Sequence, residues 1–142
     1  MRRLRRGGQG RYSTLMIDLP PYGHLLQLRS EETGEGGVRL VMPFHDDVVG
    51  RPMYLHGGAI AGLLEIAAFE TLRRAVGDEG VTLKPITVTV DFMLGGRDRD
   101  TFAEAIVERL GSNIANVEAF AWQKDRRTPI ASARMNFLLD RR

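Results

Sequence analysis

The residues most able to do chemistry fall within ten positions of one another: His56, Gly57, Gly58 and Glu65. Two adjacent glycines let the backbone come close to a bound molecule and take turn dihedrals that a side chain would forbid. N–H groups at the start of a helix stabilise negative charge developing on an oxygen. A carboxylate in apolar surroundings must find a partner, face a cavity or take up a proton, which makes Glu65 a candidate base or nucleophile. The run Ala59-Ile60-Ala61-Gly62-Leu63-Leu64-Glu65-Ile66-Ala67-Ala68-Phe69 is otherwise apolar. It predicts a helix from about Gly58 to about Val76, buried on nearly every side, with Glu65 as the single carboxylate of the run up to Phe69. A structural alternative for Glu65 is an ion pair with Arg51 or Arg73. His56 reads as a residue that holds the loop by hydrogen bonds.

Composition narrows the frame. A chain of 142 residues is long enough for one domain with a real core. There is no cysteine, which excludes disulfides, thiolate metal ligands and a cysteine nucleophile. His24, His45 and His56 are far apart and lack a matched carboxylate cluster, so no metal site is expected. Neither a Gly-x-Ser-x-Gly elbow, a His-Glu-x-x-His helix nor a Gly-Lys-Ser/Thr phosphate loop occurs. Arg2, Arg3, Arg5, Arg6 and Arg11 make residues 1–11 a basic arm, expected to be disordered, ahead of a single domain over 12–142. No apolar stretch of ~18 residues is present, so no transmembrane helix is expected.

Other elements follow from periodicity. Tyr12 to Leu19, closed by Pro20-Pro21, predicts a short helix. Tyr22 to Arg29 predicts a strand, Glu31 to Gly37 a polar turn, and Val38 to Phe44 the second strand of a hairpin. His45 to Leu55 reads as an irregular connection. Past Gly80, Ile86 to Leu94 alternates like a strand with one wet face, and Gly95 to Asp100 is a turn. Phe102 to Leu110, Ile114 to Lys124 and Pro129 to Leu139 complete a meander, although Phe102 to Leu110 suits a helix equally by propensity. The outline is α+β, one sheet curling around one long helix.

Leu55-His56-Gly57-Gly58, the apolar helix with Glu65 and the strand Val88-Thr89-Val90-Asp91-Phe92 together resemble the hotdog-fold acyl-CoA thioesterases. Within that family the sequence is most similar to the phenylacetate-degradation and hydroxybenzoyl-CoA group, from about Tyr22 to Leu139. The resemblance implies an antiparallel sheet of about six strands wrapped around a central helix. It also implies hydrolysis of an acyl- or aroyl-CoA, with Gly57 N–H polarising the thioester carbonyl. Glu65, from the opposite subunit, serves as nucleophile or as general base. His56 fixes the loop, Thr89 assists the attacking group, and Gly58, Gly50, Tyr54 and Phe92 contact the substrate, with Met53, Phe69 and Met93 as further pocket candidates.

The family often carries Asn or Gln at the position of Gly50; Asp46, Asp47 and Arg51 are the nearest polar residues here. That departure motivates an alternative, a hotdog protein that binds acyl-CoA without cleaving it. Expected partners are an acyl-CoA and further copies of the chain, with the site at a dimer interface. No separate cofactor, nucleic acid or membrane partner is expected, and the location is expected to be cytoplasmic.

Overall fold

The computed structural model describes residues 3–4, 11–77 and 80–141, with side chains from residue 12 onward. The rest of the basic arm lies outside the described residues. In chain order the elements are β1 (Arg3–Leu4), β2 (Arg11–Leu15), α1 (Pro21–Leu25), β3 (Arg29–Thr33), β4 (Val38–Met42), a single 3-10 turn (Asp46–Val48), α2 (Gly57–Val76), β5 (Val81–Phe92), β6 (Thr101–Leu110), β7 (Ile114–Trp122) and β8 (Ala131–Arg141). The strands form one sheet in the order β1-β2-β3-β4-β6-β7-β8-β5, and every pairing is antiparallel. This is the hotdog arrangement: six strands, β3 to β8, around α2, with β1 and β2 added at one edge.

Packing explains why α2 can sit inside the sheet. Leu63, Leu64 and Leu72 are fully buried, each contributing about 1.5–3 kcal/mol. Across from the helix the strands present small residues, Ala103, Ala119, Ala121 and Ala133 among them, all buried. Those short side chains bring the sheet close, and Leu40, Met42, Met135 and Phe137 fill the remaining depth. Gly77, at φ 80°, ends the helix, and its N–H donates to the Arg73 carbonyl.

The helix, the β4 strand and the four strands after Gly80 lie close to their expected places, and Phe102 to Leu110 is strand. The region before β4 differs. Tyr12 to Leu19 is not a helix: residues 11–15 form β2, because β3 offers a ladder in which Tyr12 faces Thr33 and Leu15 faces Ser30. Pro20-Pro21 does not stop a helix but opens one, since proline at the first helical position gives up no needed N–H. The strand expected over Tyr22 to Arg29 is therefore α1, closed by Gln27 in a left-handed conformation at φ 60°. Strand β3 starts only at Arg29 and takes up Glu31 to Thr33, which the polar pattern assigned to the turn.

Among the described residues, strand β5 forms one edge of the sheet and pairs only with β8. It tolerates Pro85, beside which the register shifts, as an edge strand can. Among the described residues no helix is long and apolar enough to cross a membrane.

Candidate functional site

The start of α2 has an economical cap. His56 keeps extended backbone angles, and its Nδ1 accepts the Gly58 N–H at 2.8 Å. The His56 carbonyl accepts from Ala59 and Ile60, while its own N–H donates to the Val48 carbonyl at 2.8 Å. Three of the four N–H groups that a helix start leaves open are thereby engaged. Gly57 N–H has no hydrogen bond among the described residues. It is the free donor of this helix terminus.

Beside it lies a cavity of about 310 Å³ lined by Gly57, Ile60, Arg51, Tyr54, Phe92 and Met93, together with Leu94 to Gly96. A Cβ on Gly57 would stand 3.5 Å from the Phe92 ring, so this ring forms a wall against the helix start. Two guanidinium groups, of Arg51 and Arg97, lie over the Tyr54 ring at 4.2 and 4.6 Å from its centroid. Tyr54 also makes an isolated bridge to Arg97, and Leu55 N–H donates to the Gly96 carbonyl. The Gly95-Gly96 turn thus closes the cavity. As a paired glycine after a strand it carried a signal of close approach: a Cβ on Gly96 would meet Leu55 at 2.6 Å.

The expected site residues divide into those the fold gathers and those it separates. Gly57, Tyr54, Phe92 and Met93 share the cavity. Gly58 is adjacent, with its N–H committed to the cap. Gly50 lies under the loop: a Cβ there would stand 2.9 Å from the His56 Cα, so position 50 takes no side chain without moving the cap. Of its polar neighbours only Arg51 lines the cavity. Phe69 belongs to the core instead, with its ring 6.4 Å from that of Phe137. Met53 is exposed and holds φ 71°.

Thr89 is not brought to the helix start. It pairs with Arg134, whereas Val88 and Val90 pair with the buried Met135 and Ala133. Directly paired residues point to the same face, so Thr89 stands on the sheet face away from α2, with Thr87 and Asp91.

Glu65 is half-buried, not buried, and shares the most open stripe of α2 with Gly58, Ala61 and Phe69. It has no hydrogen bond or ion pair among the described residues, and neither Arg51 nor Arg73 reaches it. The buried carboxylate of the helix is Glu70, 1% exposed, which Arg73 binds at 2.6 Å. Eight residues separate Glu65 from Gly57, roughly 12 Å along the axis at ~1.5 Å per residue. One chain therefore offers the donor and the carboxylate at well-separated points.

A second buried carboxylate, Glu104 on β6, lies away from this cavity. Arg126 holds one of its oxygens at 2.5 Å; the other is buried without a hydrogen bond among the described residues. Burial pushes this carboxyl above its ordinary value, and Arg126, Arg39 and Tyr12 oppose the rise. Among the described residues no group of three or more His, Asp or Glu could hold a metal.

Comparison with known proteins matches residues 53–130, more than half of the chain, to the model of the thioesterase superfamily. The chain belongs to the thioesterase superfamily. The matched segment of this superfamily member begins just before the cap and runs through α2 to the start of β8. A Chromobacterium violaceum protein of known structure is 32% identical, with a TM-score of 0.71 over 84% of this chain and 82% of its own. A Bacillus halodurans protein solved with CoA is 20% identical, with a TM-score of 0.79 over 89% and 83% of the two chains. A Ralstonia eutropha protein, described as a putative thioesterase related to phenylacetic acid degradation, is 18% identical at a TM-score of 0.73, covering 86% and 92%. At such identities the last two show the shared fold. No curated protein matches this superfamily member.

Proposed function

We propose that the protein hydrolyses an acyl- or aroyl-CoA thioester to the free acid and coenzyme A. The observation that carries this reading is the Gly57 N–H, left over by the His56 cap and lining a cavity at the positive end of α2. A thioester carbonyl seated there gains a fixed donor as its oxygen becomes negative, the interaction that most lowers such barriers. The CoA bound to the Bacillus halodurans relative supports the choice of thiol.

Glu65 supplies the attacking power, either by adding to the carbonyl carbon or by taking a proton from water. Because it lies too far from Gly57 of its own chain, the working pair joins Gly57 of one subunit to Glu65 of another. The exposed β5 edge, with Val88 and Phe92 uncovered, is where a second copy would continue the sheet. His56 positions the donor and takes no proton in this scheme.

Release of free thiol from a panel of acyl- and aroyl-CoA esters tests the activity, and Glu65→Gln should lower kcat at least ~10²-fold. Mixing Glu65→Gln with Gly57→Pro subunits tests the shared site. Each variant alone is nearly inactive, while a mixed dimer keeps one intact pairing and regains activity. Failure of every thioester, with tight binding of acyl-CoA, would favour the binding-protein alternative that Gly50 motivates.

A further inference from the structure

The hydroxyl of Thr89 stands on the far face of the sheet, so β5 brings none to Glu65. A different hydroxyl comes to this face of α2, from α1. Tyr22 lays its ring on Gly62: a Cβ there would stand 2.4 Å from Tyr22 Cε2 and 3.3 Å from the phenol oxygen. Only glycine leaves room for that ring. Gly62 is buried and lies between Gly58 and Glu65, one helical turn from each.

Side chains three residues apart on a helix are neighbours, with about 5–6 Å between their Cβ positions. Helical side chains also lean back toward the N-terminus, which carries the Glu65 carboxylate toward Gly62 and the phenol. Among the described residues neither the phenol oxygen nor the carboxylate has a hydrogen bond, to the other or to any third group. A surface phenol is commonly just solvated, but this one is held. Helix α1 is pinned by buried Gly23, by Leu26 in the core and by His45, whose Nε2–H donates to the Leu26 carbonyl at 3.0 Å. Tyr22 nonetheless stays 45% exposed, so water reaches it.

We propose that Tyr22 is a further catalytic residue, whose hydroxyl oxygen holds the attacking water against Glu65. The inference rests on the hydrolase reading above, in the form where Glu65 takes a proton from water. With one hydrogen on Glu65 and the other on the phenol oxygen, the water turns a lone pair toward the substrate. Glu65 takes the first proton as the water oxygen bonds to the carbonyl carbon, whose own oxygen meets Gly57 N–H of the other subunit. The C–S bond then breaks, and the leaving thiolate takes that proton from Glu65. Tyr22 keeps its own proton throughout. Because Tyr22 and Glu65 meet within one chain, they form one half of the shared site and Gly57 forms the other.

The test is thiol release from the best acyl-CoA by Tyr22→Phe, which keeps the ring and loses only the oxygen. We expect kcat to fall about tenfold or more, with KM within about twofold of wild type and an unchanged melting temperature. Gly62→Ala is a second arm: its methyl moves the phenol off the helix while alanine favours the helix itself, so kcat should fall in a folded protein. Subunit mixing assigns the half. Tyr22→Phe/Gly57→Pro subunits mixed with Glu65→Gln subunits should recover little, since their one complete Gly57–Glu65 pair lacks the phenol. Gly57→Pro subunits mixed with Tyr22→Phe/Glu65→Gln subunits should recover as fully as the mixture of single variants. The reverse pattern, an unchanged kcat in Tyr22→Phe, or a rise in KM alone overturns the proposal and leaves the hydrolase reading standing. A wild-type protein that cleaves no thioester overturns both.

Discussion

His56 Nδ1 accepts the N–H of Gly58, and by doing so leaves the N–H of Gly57 as the open donor of the helix start. An imidazole used as a cap is unusual company for a catalytic loop, because histidine invites assignment as a base. Here its nitrogen is occupied by the backbone, and its task is to hold the turn.

His56→Ala should therefore cost about 1 kcal/mol of stability, as loss of a helix cap does. It should also lower kcat/KM about tenfold or more by loosening the donor. His56→Asn, which can still cap but cannot act as a base, should recover most of both. Thermal melts and thiol-release kinetics on the two variants check this; an Asn variant as inactive as the Ala variant would show that the ring does more than cap.

Gly50→Gln places an amide where relatives of this type often carry one. In this chain the new Cβ would press on the His56 Cα at 2.9 Å. We expect about 1–3 kcal/mol of lost stability and lower, not higher, turnover, because the strain falls on the cap. A stable variant with raised kcat would show that the loop accommodates the amide after all.

The two carboxylates of α2 should separate cleanly by stability. Arg73→Ala leaves Glu70 buried and unpaired and should cost about 2 kcal/mol or more. Glu65→Gln breaks no contact within the described residues and should change stability by no more than about 0.5 kcal/mol. Denaturant unfolding of both variants tests the division between the structural and the chemical carboxylate.

Glu104 gives a pH dependence with a definite sign. Burial raises its folded pKa above the ordinary 4.5, so the native state holds the proton more tightly than the unfolded chain. Its contribution to stability is then largest at low pH and falls as pH rises through the window above 4.5. Glu104→Gln removes that loss, so the Tm of the variant relative to wild type should increase between pH 4.5 and pH 7. A difference that stays constant over this range would contradict the assignment.

Much of this architecture is written in the sequence where pattern and packing agree. Helix α2 has no polar face to confuse its reading, and β5 to β8 are strand-length segments between polar turns. Before β4 they disagree. Residues 11–15 become a strand only because β3 presents an edge to pair with, a tertiary fact that local propensity does not hold. Pro20-Pro21 is a boundary either way, and the sequence pattern does not say on which side the helix lies.

At the site, Gly57, His56, Tyr54 and Phe92 were legible from spacing and resemblance. Thr89 was not. Strand parity and the resemblance together suggest Thr89 beside the site, but the parity is that of the wet face, since Val88 and Val90 are the residues paired with the buried Met135 and Ala133. The burial of Glu70 is not legible in the apolar run, which ends at Phe69. Position 70 follows Ile66 and Ala67 on the same helix face, and Arg73 three residues on is its natural partner.

The central claim is that Gly57 N–H polarises the substrate carbonyl, and removing that one hydrogen tests it most directly. Gly57→Pro suits the backbone, since proline is favoured at the first helical position and His56 already has the extended conformation that precedes it, at ψ 135°. Gly57→Ala is the control: its Cβ makes an ordinary 3.5 Å contact with Phe92, as the proline ring would, and it keeps the N–H. Thiol release from the best acyl-CoA should fall ~10²–10³-fold in kcat for the folded proline variant, and much less for alanine. Equal turnover by the two variants would contradict the account.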